Sequence, residues 1–69
     1  MVQLKIEGEY IQLDKALKLA DLVQTGGHAK IVIQEGLVKV NEAVEFRRGR
    51  KLRDGDVVEL EGERFVIKS

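Results

Sequence analysis

The chain has no cysteine, no proline, no tryptophan and a single histidine among its 69 residues. The lack of cysteine excludes disulfide staples and thiolate metal sites, and it fits a reducing, cytoplasmic setting. One imidazole and no thiol leave little for nucleophilic or acid–base catalysis, so no catalytic residue, metal or cofactor is assigned. No apolar run approaches the roughly 20 residues of a membrane span, and no signal-peptide pattern precedes the domain. Aromatics are also scarce: one tyrosine and two phenylalanines. That scarcity argues against a surface that holds single strands by stacking their bases. A chain this short forms one domain, residues 1–69, with a small core, and a monomer is expected.

Net charge is absent too, since twelve cations face twelve acids. The balance conceals an uneven distribution. Residues 24–53 carry seven cations against three acids, and residues 54–69 carry two cations against five acids. A bipolar small domain suits one face for a polyanion and another that repels it.

The organising stretch is Thr25 to Asn41. Thr25 is a good helix N-cap, because its hydroxyl can accept from a free backbone N–H in the first turn. Gly36 suits the left-handed position that closes a last turn. Between them Ala29, Val32 and Ile33 share a face. By propensity the β-branched run Ile31-Val32-Ile33 could equally be a strand, and the cap and stop favour a helix. Val38 and Val40 then alternate with Lys39 and Asn41 as a half-buried strand.

The remaining chain is organised around that corner. Val2, Leu4 and Ile6 alternate with polar residues, so residues 2–7 read as a strand. Leu13, Ala16, Leu17, Ala20 and Val23 recur at helical spacing over 13–23, with Leu22 a misfit. Asp14 lies in the first turn of that helix and can pair with Lys18. Asn41-Glu42 can form a two-residue hairpin into Val44-Glu45-Phe46, with Val44 and Phe46 on one face, although such turns prefer glycine where Glu42 stands. Arg47 to Arg53 reads as a basic loop, Asp54-Gly55-Asp56 as a turn, Val57–Leu60 as a strand, and Phe65–Ile67 as a final strand. Every strand has one apolar face and only two helices exist to cover it. The expected architecture is α+β, with two short helices packed on one face of a small antiparallel sheet.

Two features could carry function. Gly26-Gly27 opens a helix, where free N–H groups and the helix dipole can receive a phosphate. The spacing is not that of a Walker loop, and a tight turn needing permissive backbone would also explain the pair. Arg47-Arg48-Gly49-Arg50-Lys51-Leu52-Arg53 is the second feature. Five cations packed together repel unless an anion compensates, and arginine forks match phosphate oxygens in two-point contact. Shape and phosphate recognition of a folded RNA fits these residues better than base stacking.

Leu13-Asp14-Lys15-Ala16-Leu17-Lys18, Thr25-Gly26-Gly27-His28-Ala29-Lys30, Gly36-Leu37-Val38-Lys39-Val40-Asn41 and Leu52-Arg53-Asp54-Gly55-Asp56 together resemble the RNA-binding domain named after ribosomal small-subunit protein four. The match covers about residues 10–60, and the likeness is to short, stand-alone bacterial members. The resemblance implies a helical Ile31–Ile33, an αL-type RNA-binding motif and a non-catalytic protein. Its expected partner is structured RNA, ribosomal RNA above all, in ribosome assembly or translation, with no membrane and no small-molecule substrate. It makes Lys15, Lys18, Thr25, Gly27, His28, Lys30, Arg47, Arg48, Arg50 and Lys51 the RNA-facing candidates. Changing Arg47, Arg48, Arg50 and Lys51 together to Gln is then expected to weaken binding and spare the fold. The sequence departs from the family's pattern at Gln12, at Asp21 on the exposed arc of the first helix, and at Glu42, where a strained or longer turn is expected. The alternative reading is a protein-binding or β-grasp carrier-like module. Such carriers resemble one another in a terminal Gly-Gly, whereas this sequence ends Ile67-Lys68-Ser69.

Overall fold

A computed structural model describes residues 1–69. Seven strands and two helices follow in the order β1 (Val2–Lys5), β2 (Ile11–Gln12), α1 (Leu13–Leu19), α2 (Gly26–Gln34), β3 (Val38–Val40), β4 (Ala43–Val44), β5 (Lys51–Leu52), β6 (Val57–Leu60) and β7 (Glu63–Lys68). The main sheet has strand order β1-β7-β6-β3-β4, and β2 pairs with β5 in a separate two-stranded sheet. All pairings are antiparallel except β1 with β7, which run parallel, so the five-stranded sheet is mixed. The helices and one sheet face share a single core. Leu13, Ala16 and Leu17 from α1 and Ala29, Val32 and Ile33 from α2 bury against Val38, Val40, Val58, Leu60, Phe65 and Ile67. The α+β architecture expected from alternation and helical spacing is therefore the one formed.

Both helices end in the same way. Beyond α2, Gly36 is left-handed at φ 76°, its N–H reaches Ile33 O at 3.1 Å, and Leu37 N–H reaches Val32 O at 3.1 Å. Beyond α1, Asp21 takes the equivalent place at φ 63°, donating to Lys18 O at 3.0 Å while Leu22 N–H reaches Leu17 O at 3.0 Å. These paired bonds satisfy the last orphan carbonyls of each helix. The first helix is therefore four residues shorter than its apolar spacing suggests. Leu22 fails the helical pattern because the helix has already closed, and Asp21 stands in the closing turn instead of on the helical arc. Val23 is still buried, but from the connecting loop.

The hairpin at Asn41-Glu42 has two loop residues, at φ 51° and 70°, with Val40 facing Ala43 across it. The turn is not lengthened; the strain sits at Glu42, a residue with a Cβ in left-handed backbone. Glu61-Gly62 makes the same connection between β6 and β7 with glycine in the second place, at φ 83°. Asn41 also locks its hairpin to the neighbouring turn: Nδ2 donates to Asp56 Oδ1 at 3.0 Å, and Oδ1 accepts from Val57 N–H at 2.9 Å. Asp56 Oδ2 in turn accepts from Arg53 N–H at 2.8 Å. These bonds account for the Asn41 and Asp56 positions without any ligand.

Candidate nucleic-acid interface

The basic loop is not free-standing. Leu13 N–H donates to Arg50 O at 2.8 Å and Asp14 N–H donates to Arg48 O at 3.1 Å, so loop carbonyls cap the first turn of α1. Ile11 and Gln12 pair with Leu52 and Lys51, fixing the loop's far end to the same place. Alternation alone did not show this two-residue ladder, because strands this short leave almost no periodic signal. The consequence for the site is that Lys15 follows directly on the residues that hold the loop. Lys15 and the loop cations, more than thirty positions apart in sequence, are thereby tied to the same turn of α1.

Within the loop the expected compensating anion is partly internal. Glu45 is the one buried charged residue, 8% exposed. Its Oε1 accepts from Arg50 Nη1 at 2.9 Å and Arg47 Nη2 at 3.4 Å, and its Oε2 accepts from Arg47 N–H at 3.1 Å and Arg47 Nε at 3.3 Å. The hydrogen bond from the Arg47 side chain, with those from Arg50 and the Arg47 backbone, outweighs the opposing cost of burial and holds the carboxyl down at about 2. Glu45 is therefore charged throughout the physiological range, and it aims two guanidinium groups. Arg48 and Lys51 hold no ion pair.

This arrangement inverts the alternation expected over 44–46. Val44 and Phe46 do share a face, but it is the solvent face, at 45% and 62% exposure, while Glu45 turns inward. The acid can face in because the two arginines satisfy it. A signal was present in the spacing, an acid followed by arginines two and five places on, but it identifies a partner only once the loop's turn is known.

Arg47, Gly49, Arg50 and Lys51 line an open hollow of about 590 Å³ with no apolar residue in its lining. A second groove, about 340 Å³, runs between Ile11, Lys15, Lys18 and Leu19. Tyr10, not among the expected residues, lies against the far end of the loop: Lys51 Nζ is 4.8 Å and Arg53 Cζ 5.6 Å from its ring centroid. Asp14 does not pair with Lys18; its Oδ1 accepts from Lys15 N–H at 2.8 Å.

Thr25, Gly27, His28 and Lys30 form a second group on the first two turns of α2. Thr25 Oγ1 accepts from His28 N–H at 3.0 Å, as the cap requires. His28 and Lys30 are exposed. No hydrogen bond or ion pair links this group to the loop; α1, which holds the loop, packs with α2 in the shared core. The glycines have no steric reason to be there. Neither Gly26 nor Gly27 has positive φ, a Cβ on Gly26 would meet nothing within 4 Å, and one on Gly27 would meet only Thr25 Oγ1 at 3.8 Å. A tight turn needing permissive backbone does not explain them. Their effect is to leave main-chain N–H groups at the positive end of α2 uncovered.

The family model described as S4 domain matches residues 4–68. The "Probable ribosome maturation protein RlbA" of Bacillus subtilis (strain 168) is 52% identical over 59 residues, covering 86% of this chain and 83% of that protein. YbcJ of Escherichia coli (strain K12) is 42% identical over 53 residues, 77% of this chain and 76% of that protein. The solution structure of YbcJ superposes with a TM-score of 0.77 at 33% identity, over 100% of this chain and 89% of that one, and YbcJ is described there as containing an αL motif involved in RNA binding.

Proposed function

The chain belongs to the S4 domain family, and from that membership we propose that it is a non-catalytic protein binding structured RNA, ribosomal RNA in particular, during ribosome maturation in the cytoplasm. The observation that carries this reading is the bonding of the Arg47–Lys51 loop onto the first turn of α1, beside Lys15. Backbone phosphates are the natural ligand, with the loop arginines and lysines as fork and point donors. The bare N-terminal turn of α2, with Thr25, Gly27, His28 and Lys30, supplies a second set of donors for the same sugar–phosphate fold. No helix is long and apolar enough to cross a membrane. The ribosomal assignment draws support from the Bacillus relative, named for ribosome maturation.

The experiment is a salt titration of binding to purified ribosomal RNA. Affinity falls with a log–log slope of roughly −0.7 to −0.9 per phosphate neutralised, the calibration for DNA. A fourfold Gln substitution over Arg47, Arg48, Arg50 and Lys51 is a poor test, since it strips both partners from Glu45. Arg48→Gln with Lys51→Gln removes two cations outside that ion pair and should weaken binding while costing no more stability than the Lys51 contact with Tyr10, about 0.5–1 kcal/mol. Lys30→Ala should flatten the slope by about one. Wild-type affinity in the double variant would remove Arg48 and Lys51 from the interface. Crosslinking in cells followed by sequencing tests the RNA itself: recovery of ribosomal RNA at a discrete site is expected, and its absence would sink the ribosomal assignment.

A further inference from the structure

Resting on the RNA-binding reading, we infer that Phe46 is a stacking platform for one unpaired base, so that the preferred RNA is a helix interrupted by a bulge, loop or junction. The three aromatic rings have different fates. Phe65 is in the core at 2% exposure. Tyr10 has Lys51 and Arg53 over its ring. Phe46 has no cation over it and is 62% exposed, the most exposed aromatic of the chain.

Its position is held from behind. Glu45 N–H donates to Val38 O at 3.0 Å, which continues the pairing past β4 and, with Glu45 turned inward, forces Phe46 outward. The ring then lies along Gly36: Cε1 and Cζ come within 3.4 and 3.6 Å of where a Cβ on that glycine would be, with Val44 Cγ1 at 3.8 Å. The glycine that closes α2 therefore also leaves room for that edge of the ring. An aromatic ring with two side-chain torsions loses little freedom on binding, which favours stacking.

The neighbourhood identifies what the ring takes. Arg47, the next residue, has its guanidinium aimed by Glu45, and the phosphate-facing loop continues from there. A ligand held by its phosphates at the loop brings a base within a residue's reach of the ring. In an uninterrupted A-form duplex every base face is covered by its neighbours, and the platform would stay empty. A bulged or looped base has a free face, and base–aromatic stacking tolerates any base identity.

The test uses two short RNA duplexes of one sequence, one fully paired and the other carrying a single bulged 2-aminopurine. Wild-type protein should bind the bulged RNA more tightly and change the fluorophore's emission as the base stacks. Phe46→Leu keeps the apolar volume and removes the π face. It should weaken binding to the bulged RNA about five- to a hundred-fold, abolish the emission change, and leave affinity for the paired duplex unaltered. Phe46→Trp should restore both. Equal affinity of Phe46→Leu and wild type for the bulged RNA, or an equal loss on both RNAs, would overturn the stacking role while leaving RNA binding standing; the first result is also what a protein-docking phenylalanine would give. Failure of wild-type protein to bind either duplex would overturn the stacking role together with the reading beneath it.

Discussion

The α2 corner and the Glu45–Lys51 loop both present positive potential, but they are built from different material. At the corner the donors are main-chain N–H groups, ordered by a threonine cap and uncovered by two glycines. In the loop the donors are long side chains, and one inward carboxylate holds two of them in place. The corner is local, with every residue that orders it within a few places in sequence. The loop depends on bonds to α1, β2 and β3, so its geometry is only as stable as those distant contacts. A backbone site is rigid and fixed in charge, whereas a side-chain site is adaptable and vulnerable to the loss of one acid.

The largest expected effect strikes the loop. Glu45→Gln places an amide donor among guanidinium donors and should cost about 2 kcal/mol, with Arg47's share reduced because its side chain is solvated. Because the folded pKa lies below the ordinary value of 4.5, the charged carboxylate favours the fold. Its contribution is fully present above pH 4.5 and is lost as pH falls toward about 2. Thermal melts of wild type and Glu45→Gln should therefore converge in acid and separate towards neutrality. Parallel curves at all pH values would show that Glu45 does not hold the loop.

Gly36→Ala touches both regions, since it strains the left-handed close of α2 at φ 76° and sets a methyl against the Phe46 ring at 3.4 Å. A loss of about 1–2 kcal/mol is expected in chemical denaturation. An unchanged midpoint would mean that neither region depends on that backbone. Thr25→Ala acts on the corner alone and should cost about 1 kcal/mol, with faster hydrogen exchange at His28 N–H and normal exchange at Asp14 N–H. Coupled exchange at both amides would erase the distinction between a local and a distributed site.

The smallest effect has the opposite sign. Gly26→Ala meets nothing in space, so it should stabilise the fold by about 0.5–1 kcal/mol through reduced chain entropy. If a phosphate sits on the exposed turn, the same change weakens RNA binding. A variant that is more stable and binds as well as wild type would leave the glycine pair without a role.

What was legible in the sequence follows the same division. Thr25, Gly36 and the apolar spacing of Ala29, Val32 and Ile33 act over one or two turns, so the helix they specify could be read with its cap and its stop. The end of α1 could not be read, because Asp21 in left-handed backbone gives no glycine to mark it. The β2–β5 ladder was invisible at two residues a strand. The loop was recognised as basic from composition. Its internal order was hidden, because an inward Glu45 contradicts simple alternation and becomes intelligible only when Arg47 and Arg50 are seen around it. The open ring of Phe46 was missed for the same reason, since the register that buries the acid is the one that exposes the aromatic.

The parallel alignment of Val2–Lys5 with Phe65–Lys68 has a temporal consequence. The earliest-synthesised strand bonds only to the latest, and the intervening residues 6–62 take roughly 3–12 s to translate at usual speeds. Until then that strand's N–H and C=O groups have only water, and the sheet lacks the member that joins β1 to β6. The helical pair and the β3–β6 pairing can form on the nascent chain, but closing so long a loop is left to the end. The sheet is therefore completed only once residue 68 has been made and is free to take its place beside β1.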